Sequence, residues 1–254
     1  MLDLHPLSPE IGAEVLGLRL SRPLSPQTIQ EIRAALVEFG LLIFPEQALT
    51  EEEHIDFARA FGTPEVHPTR EGAVGRPEIF VIDSAEGAPA AEWWHTDMTA
   101  LPAPPMGSIL HMRIIPEKGG DTEWASQTAA YAALPATVQA RLEGLQAEHQ
   151  AWWDAETRNL HPVVHVHPES GLKSLFVNGI FTQRIVGIPE AESRELLEFL
   201  YAHAVEERFV VRHRWRKGDI AFWDNRSTQH RVHNDFGEAR RRIHRVTLLG
   251  QAPV

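Results

Sequence analysis

The sequence predicts a jelly-roll-like β-sandwich with helical decoration, and three observations carry that prediction. From about residue 78 onward, short runs of β-branched and aromatic residues are separated by turn residues. Helical periodicity is confined to the N-terminal region and to two later inserts. No internal repeat, low-complexity tract or linker divides the 254 residues, so 1–254 reads as a single, mainly β domain.

Taken in order, Ser25-Pro26 opens the first helix, because serine caps well and proline's fixed φ suits the first helical position. Ile29, Ile32, Leu36 and Phe39 follow at spacings of three and four, and Gly40 stops the run. Leu41-Leu42-Ile43-Phe44 reads as a buried strand cut off by Pro45. Thr50-Glu51-Glu52-Glu53 is a capping box, and its helix carries Ile55, Ala58 and Phe61 on one face before ending at Gly62. Strands are expected at 78–83, 107–115, 162–167, 208–215, 219–223 and 243–249. Several alternate, such as Phe209, Val211 and His213 against Val210, Arg212 and Arg214. The inserts are Ser126 to Leu145, broken at Pro135, and Pro189 to Val205, with Leu196, Leu197 and Leu200 as its apolar stripe.

Composition narrows the function. With 24 basic and 35 acidic residues the net charge is −11, which argues against nucleic-acid or anionic-membrane partners. The apolar runs are too short to span a bilayer. No secretory signal is evident at the N-terminus, so a cytoplasmic protein is expected. The absence of cysteine excludes disulfides, thiolate metal sites and a cysteine nucleophile. A metal would have to be held by histidine and carboxylate, and 14 histidines allow that.

The pattern His-x-Asp/Glu occurs four times, where chance alone supplies about two. His54-Ile55-Asp56 lies in the capped helix, where residues two apart diverge. His167-Pro168-Glu169 and His233-Asn234-Asp235 fall in turn sequences. His95-Thr96-Asp97, behind Trp93-Trp94, has no helical pattern around it. On an extended backbone its two ligating side chains would share a face. Its company strengthens the case. The stretch Trp223 to His230 follows a strand and delivers a histidine just past its end. Arg241, Ile243 and Arg245 then share one face of a segment that continues into apolar Val246-Thr247-Leu248-Leu249. A buried arginine requires an anion. Two histidines and one carboxylate point to non-haem Fe(II) and oxygen chemistry. A zinc hydrolase is the alternative, without a His-Glu-x-x-His helix to support it.

Across nearly the whole chain the residues resemble the TauD/TfdA-type Fe(II)- and 2-oxoglutarate-dependent dioxygenases. The resemblance lies in Trp94-His95-Thr96-Asp97-Met98-Thr99, Gly119 to Ser126, His161-Pro162-Val163-Val164, Leu175 to Asn178, Phe181 to Ile185, Trp223 to His230 and Arg241 to Arg245. It implies a double-stranded β-helix, a cupin-like jelly roll. It implies His95, Asp97 and His230 as iron ligands, Thr122 and Arg241 as partners of the distal carboxylate of 2-oxoglutarate, and O2 as the oxidant. Arg245 and His67 match substrate-anion contacts, and Met98 and Phe181 stand where relatives line the pocket. Arg70 stands where the taurine enzyme has a tyrosine, and Ala91-Glu92 replaces an asparagine-containing run, so the resemblance points away from taurine. The implied reaction hydroxylates a small anionic organic substrate, a sulfonate, alkyl sulfate, phenoxy acid or other carboxylic acid, releasing succinate and CO2. Collapse of the hydroxylated product to a carbonyl compound and a released anion or phenol would follow for suitable substrates. The implied assembly is a dimer or tetramer. Trp152 and Trp153 fall in the region that covers the site in the family, as an aromatic wall or as buried packing. The readings outside this class are a zinc-dependent hydrolase or a small-anion binding protein on the same scaffold.

Overall fold

A computed structural model of the chain describes residues 1–66, 73, 75–87 and 91–254. Strands β1 (Asp3–Pro6) and β2 (Ala13–Leu16) lead into α1 (Pro26–Phe39), β3 (Leu41–Phe44), α2 (Glu51–Arg59), β4 (Ile79–Asp83) and β5 (Gly107–Ile114). Then come β6 (Thr122–Ser126), α3 (Gln127–Ala132), α4 (Ala136–Leu142), β7 (Gln146–Gln150), β8 (Arg158–Pro162), β9 (Val164–Val166), β10 (Lys173–Leu175) and β11 (Thr182–Ile185). The chain finishes with α5 (Glu190–Ala204), β12 (Val210–His213), β13 (Ile220–Asp224), β14 (Thr228–Val232) and β15 (Arg242–Leu248).

The expected caps form. Ser25 accepts the backbone N–H of Thr28 while Gly40, at φ 68, closes α1, and Thr50 and Glu53 make the reciprocal capping box of α2. Seven strands build one sheet in the order β1-β2-β3-β13-β5-β15-β4. A three-stranded sheet, β12-β6-β14, faces it. Strand alternation sorts the side chains into two cores. Leu42, Phe44, Ile109, Ile220, Phe222, Val246 and Leu248 pack outward under α1 and α2. Their alternates Leu41, Ile43, Leu110, Met112, Ala221, Trp223 and Ile243 point between the sheets and meet Trp124 and Val211. Helices α3 and α5 with β7, β10 and β11 form a third core. The arrangement is the jelly roll expected from the sequence, and among the described residues no helix is long and apolar enough to cross a membrane.

Three expectations change. The segment 162–167 is not one strand: Val163 turns its N–H to the Leu145 carbonyl, so β8 pairs with β7 before it and β9 with β10 after it. Residues 208–209 belong to a 3-10 turn, so that strand starts at Val210. His230 lies past the end of β13, as expected, but on a further strand of its own, β14, whose pairing with β6 supplies the order its polar sequence conceals.

Candidate metal centre

The site is built on a cross-strand pair. His95 and His230 exchange both backbone hydrogen bonds, N–H to O=C at 3.1 and 2.8 Å, so their side chains stand on the same face with ring centroids 4.2 Å apart. Thr96 ties the next peptide down by donating to the Thr228 carbonyl at 2.9 Å. The chain then turns at Asp97, with Met98 held at φ 55, a left-handed conformation uncommon for a side-chain-bearing residue. That turn brings the Asp97 carboxylate back to the imidazoles, 3.7 Å from His95 Nε2 and 3.9 Å from His230 Nε2. One ligand atom from each residue lies within 4.8 Å of the others, and all three residues are buried.

The donor set fits a metal ion. His95 Nδ1 can only donate to the Trp93 carbonyl, at 2.8 Å, which leaves Nε2 as the ring nitrogen that faces Asp97. Burial, reinforced by His95, pushes His230 down to about 3, so its ring is neutral and able to ligate. Burial alone would raise the Asp97 carboxyl. Arg245, His230 and His95 outweigh it and hold that group well below the usual carboxylate range.

Arg245 extends from the inter-sheet face of β15, its Nη1 3.2 and 3.4 Å from the Asp97 oxygens, and its buried Nε has no hydrogen-bond partner among the described residues. Arg241 is different. It is 5% exposed, donates from Nε to the Gly120 carbonyl at 3.1 Å and from Nη2 toward Thr122 Oγ1 at 3.5 Å, and meets no carboxylate among the described residues. Burial pushes it down to about 10, with the Asp121 carboxylate opposing but not in contact. Gly120 permits the contact, since a Cβ there would come within 3.1 Å of Arg241 Cδ. Thr122 opens β6 with its side chain inward rather than capping a turn, and its oxygen also accepts from Trp215 Nε1 at 2.9 Å. With both lone pairs engaged, its hydroxyl hydrogen is left to donate elsewhere.

The pocket-lining expectations land beside this turn. Met98 is part of it, and Phe181 packs with Ala100 and Ala151 in a small apolar cluster just past Asp97. Trp153 meets the Phe181 ring edge-on at 6.1 Å, and Trp152 lies against Trp153. Both tryptophans are exposed, so neither fills a core. His67 and Arg70 lie outside the described residues.

Sequence reasoning missed three contributors. Glu65 is a half-buried carboxylate whose backbone pairs with Thr247; burial raises its carboxyl above the ordinary value, Arg245 opposing and Asp97 reinforcing. Ser108 reaches Asp97 Oδ2 at 3.5 Å. Asn225 accepts from the Asp97 N–H at 2.8 Å and donates to the carbonyls of Asp97 and Pro105 at 3.1 and 3.0 Å. Only Asn225 left a trace in the sequence, as part of Trp223-Asp224-Asn225-Arg226. The other three His-x-acid pairs form no site: His54 Nε2 donates to the Ile109 carbonyl, His167 binds Asp224, and His233 pairs with Glu123 while Asp235 accepts from Gly120.

Residues 3–247 match the family model described as taurine catabolism dioxygenase TauD, TfdA family. Among characterised relatives, an alkylsulfatase from Acinetobacter baylyi is 41% identical over 273 residues, covering 98% of this chain and 86% of its own. An alpha-ketoglutarate-dependent sulfate ester dioxygenase from Pseudomonas putida is 37% identical over 276 residues, covering 100% of this chain and 91% of its own. The crystal structure of a taurine dioxygenase from Burkholderia xenovorans superposes with a TM-score of 0.93 at 41% identity, covering all of this chain and 91% of that one.

Proposed function

The chain belongs to the TauD/TfdA family of dioxygenases, and from that premise we propose that it hydroxylates a small anionic organic substrate with Fe(II), 2-oxoglutarate and O2, releasing succinate and CO2. The observation that carries the reading is the convergence of His95, Asp97 and His230 within 4.8 Å, together with a buried Arg241 that makes no ion pair among the described residues. When bound, the iron supplies the oxygen chemistry that decarboxylates the keto acid and oxidises a substrate C–H bond.

The protein's own residues do the rest. Arg241 and the hydroxyl hydrogen of Thr122 hold the distal carboxylate of 2-oxoglutarate, offsetting the cost of burying that guanidinium. Arg245, already turned into the site, takes the substrate's anionic group, with His67 and Arg70 as further contacts. Met98 and Phe181 line the apolar part of the pocket, and Trp152 and Trp153 stand at its rim. Such placement brings the scissile C–H bond to the oxidant and excludes water from it. Sulfonates, alkyl sulfates and phenoxy or other carboxylic acids are the substrate classes, supported by the names of relatives acting on sulfate esters and on 2,4-dichlorophenoxyacetate. Hydroxylation at the carbon bearing the ester or ether oxygen collapses to a carbonyl compound and the released anion or phenol.

The zinc-hydrolase and anion-binding alternatives are not favoured, because relatives matching over almost the whole chain are named as alpha-ketoglutarate-dependent dioxygenases. Residues 1–254 are taken as one catalytic domain, supported by a family match running from residue 3 to 247. A cytoplasmic dimer or tetramer completes the reading, supported by the family resemblance and checked by sedimentation. The decisive test is succinate release across a panel of sulfonates, alkyl sulfates and phenoxy acids. His95→Ala, Asp97→Ala and His230→Ala should each abolish both succinate production and substrate loss. Normal 2-oxoglutarate turnover by His95→Ala would sink the metal assignment.

A further inference from the structure

Asp97 has weak control over its own carboxylate. Ser108 reaches it only at 3.5 Å, and Arg245 at 3.2 Å belongs to a long flexible side chain that the substrate would claim. Its orientation therefore depends on its backbone, which sits at the start of a turn whose next residue is left-handed. Asn225 grips that backbone at both ends, accepting from Asp97 N–H and donating to Asp97 O, while a second donation ties in Pro105 O. One N–H and two carbonyls must be satisfied at once, and a carboxamide supplies an acceptor and two donors where a carboxylate supplies acceptors alone. Asn225 is 1% exposed and is itself fixed: its N–H donates to Met106 O at 2.9 Å, and the turn it belongs to is held by Thr228 Oγ1 donating to Asp224 O at 2.8 Å.

Resting on the reading of His95, Asp97 and His230 as the metal site, we propose that Asn225 is the positioning residue that orients Asp97 for the metal. It links the turn after β13 to the ligand-bearing turn, so that the segment carrying His230 also sets the direction of Asp97. Holding a ligand in its productive geometry before the metal arrives raises affinity, and outer partners of metal ligands typically control it about ten- to a hundredfold.

The test is Co(II) titration of the full chain, following visible absorption and the apparent Kd, for wild type, Asn225→Ala and Ser193→Ala. Ser193→Ala removes a buried hydrogen bond, the one Ser193 Oγ accepts from Ile185 N–H at 2.7 Å, at a residue that touches neither Asp97 nor Asn225. Asn225→Ala should bind Co(II) about ten- to a hundredfold more weakly with an altered absorption band. Ser193→Ala should keep the wild-type Kd and band whatever its Tm. Wild-type affinity and spectrum in Asn225→Ala would overturn the proposal, as would an equal loss in Ser193→Ala. Asn225→Ser is read the same way where the alanine variant does not fold. Failure of the wild type to bind Co(II) would instead strike the metal site itself.

Discussion

Arg241 and Arg245 stand four residues apart and lie in opposite electrostatic situations. Arg245 has a carboxylate beside it in Asp97, whereas Arg241 is buried against one carbonyl and one hydroxyl. Burying a cation without a partner costs stability, and an apolar side chain of similar volume removes that cost. Arg241→Met should therefore raise the Tm of the ligand-free protein. The same change should erase the Tm increase that 2-oxoglutarate gives the wild type in the presence of metal, since only ligand bound to the native state stabilises it. A thermal-shift series with and without 2-oxoglutarate measures both. A full 2-oxoglutarate shift in Arg241→Met would show that the keto acid binds elsewhere.

The interface between α2 and the large sheet carries its own titration. His54 from α2, His111 from β5 and His244 from β15 meet there, the first two edge-to-face at 5.8 Å. Burial, with His111 adding, pushes His54 down to about 3. Burial and Arg113 push His111 down to about 4, and burial, Arg113 and Arg242 do the same to His244, with Glu51 of α2 3.5 Å from its Nδ1. In the unfolded chain each titrates near its ordinary value of about 6.5. The native state thus binds fewer protons in that range. The stabilisation is complete above about pH 6.5 and is lost as pH falls toward 4, by up to about 1.4 kcal/mol per pH unit for each histidine. Unfolding midpoints between pH 7 and 4 should fall accordingly, and His54→Gln should flatten the slope. An unchanged slope would place the titrating groups elsewhere. The helix was readable from its capping box, but this layer was not, because His54, His111 and His244 are brought together only by the packing of α2 on the sheet.

The whole molecule depends on one partition, with apolar packing on the outer face of the seven-stranded sheet and chemistry on the inner face. Phe222 is fully buried on the outer side, edge-on to Phe57 at 6.2 Å and Phe61 at 5.1 Å, so it joins α2 to the central strand. Phe222→Ala should cost about 3–5 kcal/mol in denaturant unfolding. A loss under about 1 kcal/mol would mean that this core collapses around the gap or that the helices contribute little.

The sequence alone determined what short-range physics can write. Ser25-Pro26 and Gly40 bounded a helix, Thr50-Glu51-Glu52-Glu53 started another, and strand alternation announced the sandwich. His95-Thr96-Asp97 was legible as a candidate chelating pair because residues two apart share a face on an extended backbone, and His230, Arg241 and Arg245 further along set it apart from three similar pairs. Tertiary structure alone decided the pairing of His95 with His230, the burial of Arg241 against Gly120 and Thr122, the contact of Arg245 with Asp97 and the grip of Asn225. Thr228 to Val232 has little apolar alternation and becomes a strand because β6 and the His95 segment pair with it. Thr96 and Thr228, hydrogen-bonded in the fold, are 132 residues apart in sequence. Side-chain period is a property of a few consecutive residues, but register joins segments that distant, and only the folded sheets fix it.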